Sequence, residues 1–287
     1  MKATIWDILP LLRCPDDKGV LEATNSGLVR CAHCARVFVT LGDRFIDVRP
    51  TESFATGGQC KSSYERRFAD HYHRIFQQSS ARDVTALAWG AKEVVPRAYY
   101  LRKQREIKQI LAGLPDRIGL SCDVTGGAGE LSVPLAQRSR IVVNMDLDMA
   151  NLNYVLSTTD VETIDNLVCV RGDLFSPPFV SEAFDLLVCT DTLIYGEGIV
   201  KTFLRSMVTM LAPGGHAAID FYNRRHRNPI HKPYMLGFTQ RECDRFLDEH
   251  RDMTYLYEGF YQEMSGCLRW VIPPTRHIYF LAKSGRP

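Results

Sequence analysis

Between residues 118 and 222 short apolar runs alternate with longer stretches of helical period: "IGLSCDVT", "RIVVNMDL", "NLVCVRGD", "AFDLLVCT" and "GHAAIDFY". Runs of this length read as strands buried on both faces, and the alternation predicts a mostly parallel sheet covered by helices on each side. Upstream the period changes. "KSSYERRFADHYHRIFQQ" places Tyr64, Phe68, Tyr72, Ile75 and Phe76 at helical spacing. "VPRAYYLRKQREIKQILAGLPD" repeats the pattern with Tyr99, Tyr100, Ile107, Ile110 and Leu111, until Gly113 and Pro115 stop it. "RPTESFATGGQ" is rich in turn and polar residues and reads as a linker. The chain thus divides into a small β-rich module over 1–50, a linker and helical cap over 51–117, and an α/β domain over 118–287.

Composition narrows the class without naming a function. The chain has 287 residues, 45% hydrophobic and 24% charged, enough for one large domain and a small one. A formal charge of +2 gives no global attraction to nucleic acid or to an anionic membrane. No stretch approaches the roughly 20 uninterrupted apolar residues of a membrane span. The opening "MKATIWDILPLLRCP" carries Asp7, Pro10 and Arg13 within its apolar run, unlike a secretory signal. Of nine cysteines, Cys122, Cys169 and Cys189 fall in apolar strand-like runs, where a free thiol behaves as a small hydrophobe. That usage fits a reducing compartment, and a cytoplasmic location is expected.

The paired cysteines are different. Cys31 and Cys34 form a Cys-x2-Cys knuckle, and Cys14 lies seventeen residues earlier in "CPDD", where Asp17 takes the place of a fourth cysteine. Two readings stay open. Cys14, Asp17, Cys31 and Cys34 could hold a tetrahedral zinc, or a metal-free module could pack on Leu21, Leu28, Val37, Phe38, Val39 and Phe45. Residues 5–49 resemble the small zinc-ribbon proteins that partner and activate methyltransferases, and the matching modules fused to bacterial methyltransferases. They depart from the full metal pattern at Asp17.

"SCDVTGGAGELS" packs three glycines into four positions directly after the first strand of the α/β domain. Gly126, Gly127 and Gly129 permit a tight strand-to-helix turn and close approach of a ligand to bare backbone. Asp146 ends the second strand, seventeen residues beyond Gly129, where a carboxylate can accept hydrogen bonds from two ribose hydroxyls. Asp173 closes the third strand, where it can accept a bond from an adenine amino group. In an open parallel sheet, ligands lie at these carboxyl ends, where strand order reverses. A nicotinamide-dependent dehydrogenase is the natural competitor, but no catalytic Lys, Tyr or His set with suitable spacing accompanies the turn.

This series resembles the class I S-adenosylmethionine (SAM)-dependent methyltransferases over residues 118–283, with a Rossmann-like sheet as the expected fold. The glycine turn is most similar to that of the ubiquinone/menaquinone C-methyltransferases and their relatives, with Thr125 at the place of their first glycine. The resemblance implies that Asp123, Thr125, Gly126, Gly127 and Gly129 meet the methionine portion of SAM. It implies further that Asp146 holds the ribose, Leu147 covers the adenine, and Asp173 with Leu174 edges it. Thr190, Asp191 and Tyr195 follow the fourth strand at the mouth where an acceptor approaches. Asp191 and Tyr195 are the catalytic candidates, Tyr195 standing where many relatives carry histidine; the plainer roles are a helix cap for Asp191 and packing for Tyr195.

Methyl transfer from a sulfonium needs alignment above all, because the cofactor already carries the activation. Tyr64, Arg97, Tyr99 and Tyr100 are candidates for an aromatic lid over a small planar acceptor. Arg224, Arg225 and His226 open a short basic loop that would suit an acidic substrate or simply be solvated. A small organic acceptor, for example in secondary metabolism, is the favoured expectation. The alternatives are an rRNA or tRNA base methyltransferase, since some such enzymes also carry an amino-terminal zinc module, and a non-catalytic subunit with this fold.

Overall fold

The structure is a computed structural model and describes residues 2–51, 97–158, 164–225, 236–260 and 274–285. The strands are β1 (Leu21–Ala23), β2 (Val29–Cys31), β3 (Val37–Leu41), β4 (Phe45–Asp47), β5 (Ile118–Val124), β6 (Ser139–Asp146), β7 (Leu167–Arg171), β8 (Phe184–Leu193), β9 (Leu211–Tyr222), β10 (Met253–Phe260) and β11 (Arg276–Lys283). The helices are α1 (Ile5–Ile8), α2 (Arg97–Ala112), α3 (Ser132–Ala136), α4 (Met149–Thr158), α5 (Glu197–Met210) and α6 (Gln240–Leu247). All strands join one sheet in the order β1-β2-β3-β4-β7-β6-β5-β8-β9-β11-β10. Its centre, β7-β6-β5-β8-β9, is parallel throughout, as the apolar runs predict. This is a Rossmann-like α/β fold, a parallel sheet with helices on both faces.

Successive residues of a strand face opposite ways, so the central strands supply two cores. Leu120, Cys122, Val143, Val168 and Cys189 pack on one face with Ile199, Phe203 and Met207 of α5 and Phe246 of α6. Val142, Leu167, Cys169, Leu186 and Val188 pack on the other with Ile107 and Ile110 of α2, Leu135 of α3, and Leu152 and Val155 of α4. Helix α2 ends where Gly113 and Pro115 stop the periodic pattern. Strand order reverses between β5 and its neighbours β6 and β8, and this places the crevice at the end of β5.

The first fifty residues extend this sheet. Strand β4 lies parallel to β7, with Phe45 opposite Cys169 and Asp47 opposite Arg171. The packing expected of the metal-free module is corrected in part. Leu21 and Phe38 are buried and Phe45 joins the core beneath the helices, but Leu28, Val37 and Val39 are exposed. Alternation along β3 buries Phe38 and turns Val37 and Val39 outward. Among the described residues no helix is long and apolar enough to cross a membrane.

Candidate functional site

Strand β5 ends at Val124, and the chain then turns with Thr125 at φ 62°, Gly127 at φ 53° and Gly129 at φ 82°. A β-branched residue rarely adopts that region, so Thr125 is a strained position held by its surroundings. Its hydroxyl bonds Thr192 and the carbonyl of Val124. Gly126 is required for a different reason. A Cβ there would lie 2.8 Å from Cγ of Asp123 and 2.9 Å from Oδ1 of Asn144. Asp123 cannot easily yield, being 2% exposed and accepting a bond from the Ser132 hydroxyl at 2.7 Å.

Asp146 closes the turn from the next strand. Its Oδ2 accepts the Gly127 amide at 2.8 Å and its Oδ1 the Asp148 amide at 2.7 Å. Each oxygen keeps a lone pair that can receive a ribose hydroxyl. Burial pushes its pKa up to about 6, since desolvation of the carboxylate outweighs the two amide bonds. Beside it opens a cleft of about 210 Å³, lined by Asp123, Thr125, Gly126, Gly127, Ala128, Glu130, Leu131, Asn151, Thr190 and Asp191. Three of the lining side chains are carboxylates, and none is lysine or arginine.

A second cluster of the cleft is built around Asp191. It has φ 60°, its amide donates to Oδ1 of Asp220 at 2.8 Å, and its Oδ1 accepts the Tyr222 hydroxyl at 3.0 Å. The buried Arg276 guanidinium pairs with Asp191 and, at 2.8 Å, with Asp220, and its Cζ lies 3.5 Å from the Tyr222 ring centroid. Burial opposes the charge on Arg276, but Asp191 and Glu106 hold it protonated, above its ordinary range. Asp191 therefore does not serve as the cap of α5, whose N-cap is Gly196. Tyr195 is 3% exposed in the core and is not among the lining residues. Arg276, Asp220 and Tyr222 were absent from the sequence-based candidates.

Asp173 and Leu174 are also buried, at 2% and 4% exposure, beside the end of β7. Leu147 is half-buried and its carbonyl accepts Nε of Arg171 at 3.0 Å. Of the lid candidates, Arg97, Tyr99 and Tyr100 belong to α2 but their side chains, like Tyr64, lie outside the described residues. Further along α2, Glu106 lies 3.7 Å from Arg276, one side chain away from Asp191. Arg224 is not a free cation: it pairs with Glu242 at 2.9 Å and donates to the Gly237 carbonyl. Arg225 is exposed, and His226 lies outside the described residues.

The four candidate metal ligands converge at the other end of the sheet. One donor atom from each of Cys14, Asp17, Cys31 and Cys34 lies within 4.8 Å of the others. Sγ of Cys14 and Cys34 are 3.8 Å apart, and Sγ of Cys31 is 3.4 Å from Asp17 Oδ1. Bonds of about 2.3 Å to sulfur and 2.0 Å to oxygen give tetrahedral edges of about 3.8 and 3.5 Å, so the set fits zinc. Cys31 Sγ also accepts the amides of His33 and Cys34 at 3.3 and 3.4 Å. Without a metal, burial raises the Cys14 thiol to about 12, whereas the Gly19 amide lowers the Asp17 carboxyl well below its usual range. Gly19 leaves the room, because a Cβ there would lie 2.8 Å from Cys31 Sγ.

Residues 122–219 match the family described as "Methyltransferase domain". The chain is 24% identical over 157 residues to "Putative methyltransferase YqeM" of Bacillus subtilis (strain 168). That match spans 53% of this chain and 58% of the relative, little more than half its length. Among solved structures, magnesium protoporphyrin IX methyltransferase from Synechocystis PCC 6803 with bound SAM has a TM-score of 0.56 at 14% identity. It covers 75% of this chain and 96% of its own. The [4+2]-cyclase SpnF has a TM-score of 0.52 at 13% identity, over 63% of this chain and 81% of its own. At such identities the likeness is one of fold, and SpnF illustrates that this fold does not fix one reaction.

Proposed function

We propose that the protein binds SAM in the glycine-turn cleft and transfers its methyl group to a small organic acceptor. The observation that carries this reading is the charge of the cleft. Asp123, Glu130 and Asp191 line it beside a turn closed by Asp146. SAM carries a sulfonium and an ammonium against a single carboxylate, so this field attracts it. The same field repels the diphosphate of a nicotinamide dinucleotide, which a helix N-terminus or basic residues usually receive. In this reading Asp146 accepts the ribose hydroxyls, the glycine turn carries the methionine portion, and Leu147, Asp173 and Leu174 form the adenine side.

At the acceptor end, Asp191 is the group placed to orient a hydroxyl or amine toward the methyl. Held by Arg276 and Tyr222, it serves as a fixed hydrogen-bond acceptor. The chemistry then rests on alignment, worth roughly 7–11 kcal/mol in well-oriented systems. A small acceptor is favoured over RNA because Arg224 is already paired with Glu242, which weakens the case for a phosphate-binding loop. The porphyrin named for the Synechocystis neighbour is an acceptor of the kind proposed. Zinc, held by Cys14, Asp17, Cys31 and Cys34, has a structural part: a closed four-ligand set leaves no position for substrate. Buried free thiols at Cys122, Cys169 and Cys189 support a reducing, cytoplasmic location.

The test is transfer of label from methyl-labelled SAM into fractionated metabolites and RNA. Label in a small-molecule fraction, lost in Asp146→Ala, is the expected result. Label confined to RNA would replace the acceptor class, and SAM binding without any labelled product would favour a non-catalytic role.

A further inference from the structure

The first half of the metal knuckle is built against the loop that follows β7. Lys18 adopts φ 61°, with its amide bonded to the Cys14 carbonyl at 2.8 Å. From that turn its Nζ donates to Ser176 Oγ at 3.0 Å and to the Pro177 carbonyl at 3.3 Å. Ser176 Oγ in turn donates to the carbonyl of Pro15 at 3.0 Å. Two backbone bonds continue the seam, from the Arg13 amide to the Pro178 carbonyl and from the Val180 amide to the Leu11 carbonyl, each 2.8 Å.

The same loop begins at Asp173. The Ser176 amide donates to the Asp173 carbonyl at 3.0 Å, and the Phe175 amide to Asp173 Oδ1 at 2.9 Å. One four-residue turn is therefore fixed by Asp173 at one end and by the knuckle at the other. Pro15 and Asp16 lie between two of the four candidate ligands, Cys14 and Asp17. A metal that fixes those two side chains also fixes the carbonyl and the lysine that grip Ser176.

We infer that Lys18 and Ser176 are positioning residues that couple metal occupancy of the Cys14, Asp17, Cys31, Cys34 site to SAM binding at the adenine side of the crevice. The inference rests on the zinc and SAM assignments proposed above. Because linkage between two binding equilibria is reciprocal, zinc must tighten SAM by the factor by which SAM tightens zinc. Couplings of this kind commonly run from roughly 5- to 150-fold. A seam of two side chains and a short turn places this one at the low end, about 5- to 10-fold.

The experiment measures SAM affinity by titration calorimetry for zinc-loaded protein, metal-stripped protein and the zinc-loaded double variant Lys18→Ala, Ser176→Ala. It also measures zinc affinity by chelator competition with and without SAM. The expected result is weaker SAM binding on stripping, tighter zinc binding in SAM by the same factor, and less than about twofold linkage in the double variant. If stripping unfolds the protein, the chelator competition on loaded protein decides alone. Equal zinc affinity with and without SAM would overturn the inference, as would linkage that survives the double substitution. Failure of the zinc-loaded wild type to bind SAM would instead overturn the proposed function.

Discussion

Two tight turns in this molecule use the same backbone device for opposite purposes. In the knuckle, Lys18 at φ 61° and Ala35 at φ 60° fold two short segments toward each other. In the crevice, Thr125 at φ 62° and Asp191 at φ 60° do the same at the ends of β5 and β8. All four are non-glycine residues in the left-handed region, which persists only where surroundings enforce it. The knuckle turns its polar atoms inward until four donors face one another within 4.8 Å. The crevice spreads its carboxylates around an open cleft. Closed convergence suits an ion whose whole coordination shell is protein, whereas open convergence suits a ligand that enters, reacts and leaves.

The contrast can be broken most severely at the closed end. Cys31→Ser should abolish stoichiometric zinc, read by metal analysis of chelator-free preparations, while the same protein retains SAM binding at reduced affinity. Retention of one zinc per chain in that variant would place the metal elsewhere. At the open end, Gly126→Val should leave zinc unchanged and weaken SAM strongly, because overpacking a dense site costs about 1–3 kcal/mol, roughly 5- to 150-fold in affinity. Calorimetry reads both halves of that prediction.

A smaller effect follows from Asp146. Its folded pKa of about 6 lies above its ordinary 3.8. Between those values the folded protein binds more protons than the unfolded chain, so this group makes the cofactor-free protein less stable as pH rises. Cofactor binding runs the other way, since the ribose needs the ionised carboxylate. SAM affinity should therefore rise about tenfold from pH 5 to pH 7. Asp146→Asn, which cannot ionise, should flatten that profile. A wild-type profile already flat over this range would contradict the assigned role. The smallest change expected is Thr125→Gly. Relief of strain and loss of the Thr192 hydrogen bond nearly offset, leaving SAM affinity within about threefold of wild type.

The central sheet was legible because its strands are local apolar runs. The crevice was legible because Gly126, Gly127, Gly129 and Asp146 sit at strand ends, where spacing alone locates them. The Arg276 cluster was not. Arg276 opens β11, and its partners Asp220 and Asp191 lie 56 and 85 residues away in the chain, so no local pattern marks them. Its only signal was an arginine heading the apolar strand "RHIYFLAK". The pairing of β4 with β7 was equally hidden, because a three-residue strand carries too little sequence to specify a partner across the chain. Phe45 consequently packs with the central core, although its neighbours in sequence belong to the module.

An acidic glycine-turn cleft should select a sulfonium cofactor over an anionic dinucleotide. Parallel calorimetric titrations of the zinc-loaded protein with SAM and with NADH test it most directly, with Asp146→Ala as the matched control. The expected result is one SAM bound per chain, no heat of binding for NADH, and loss of most SAM affinity in the variant. Saturable binding of NADH together with none for SAM would contradict it.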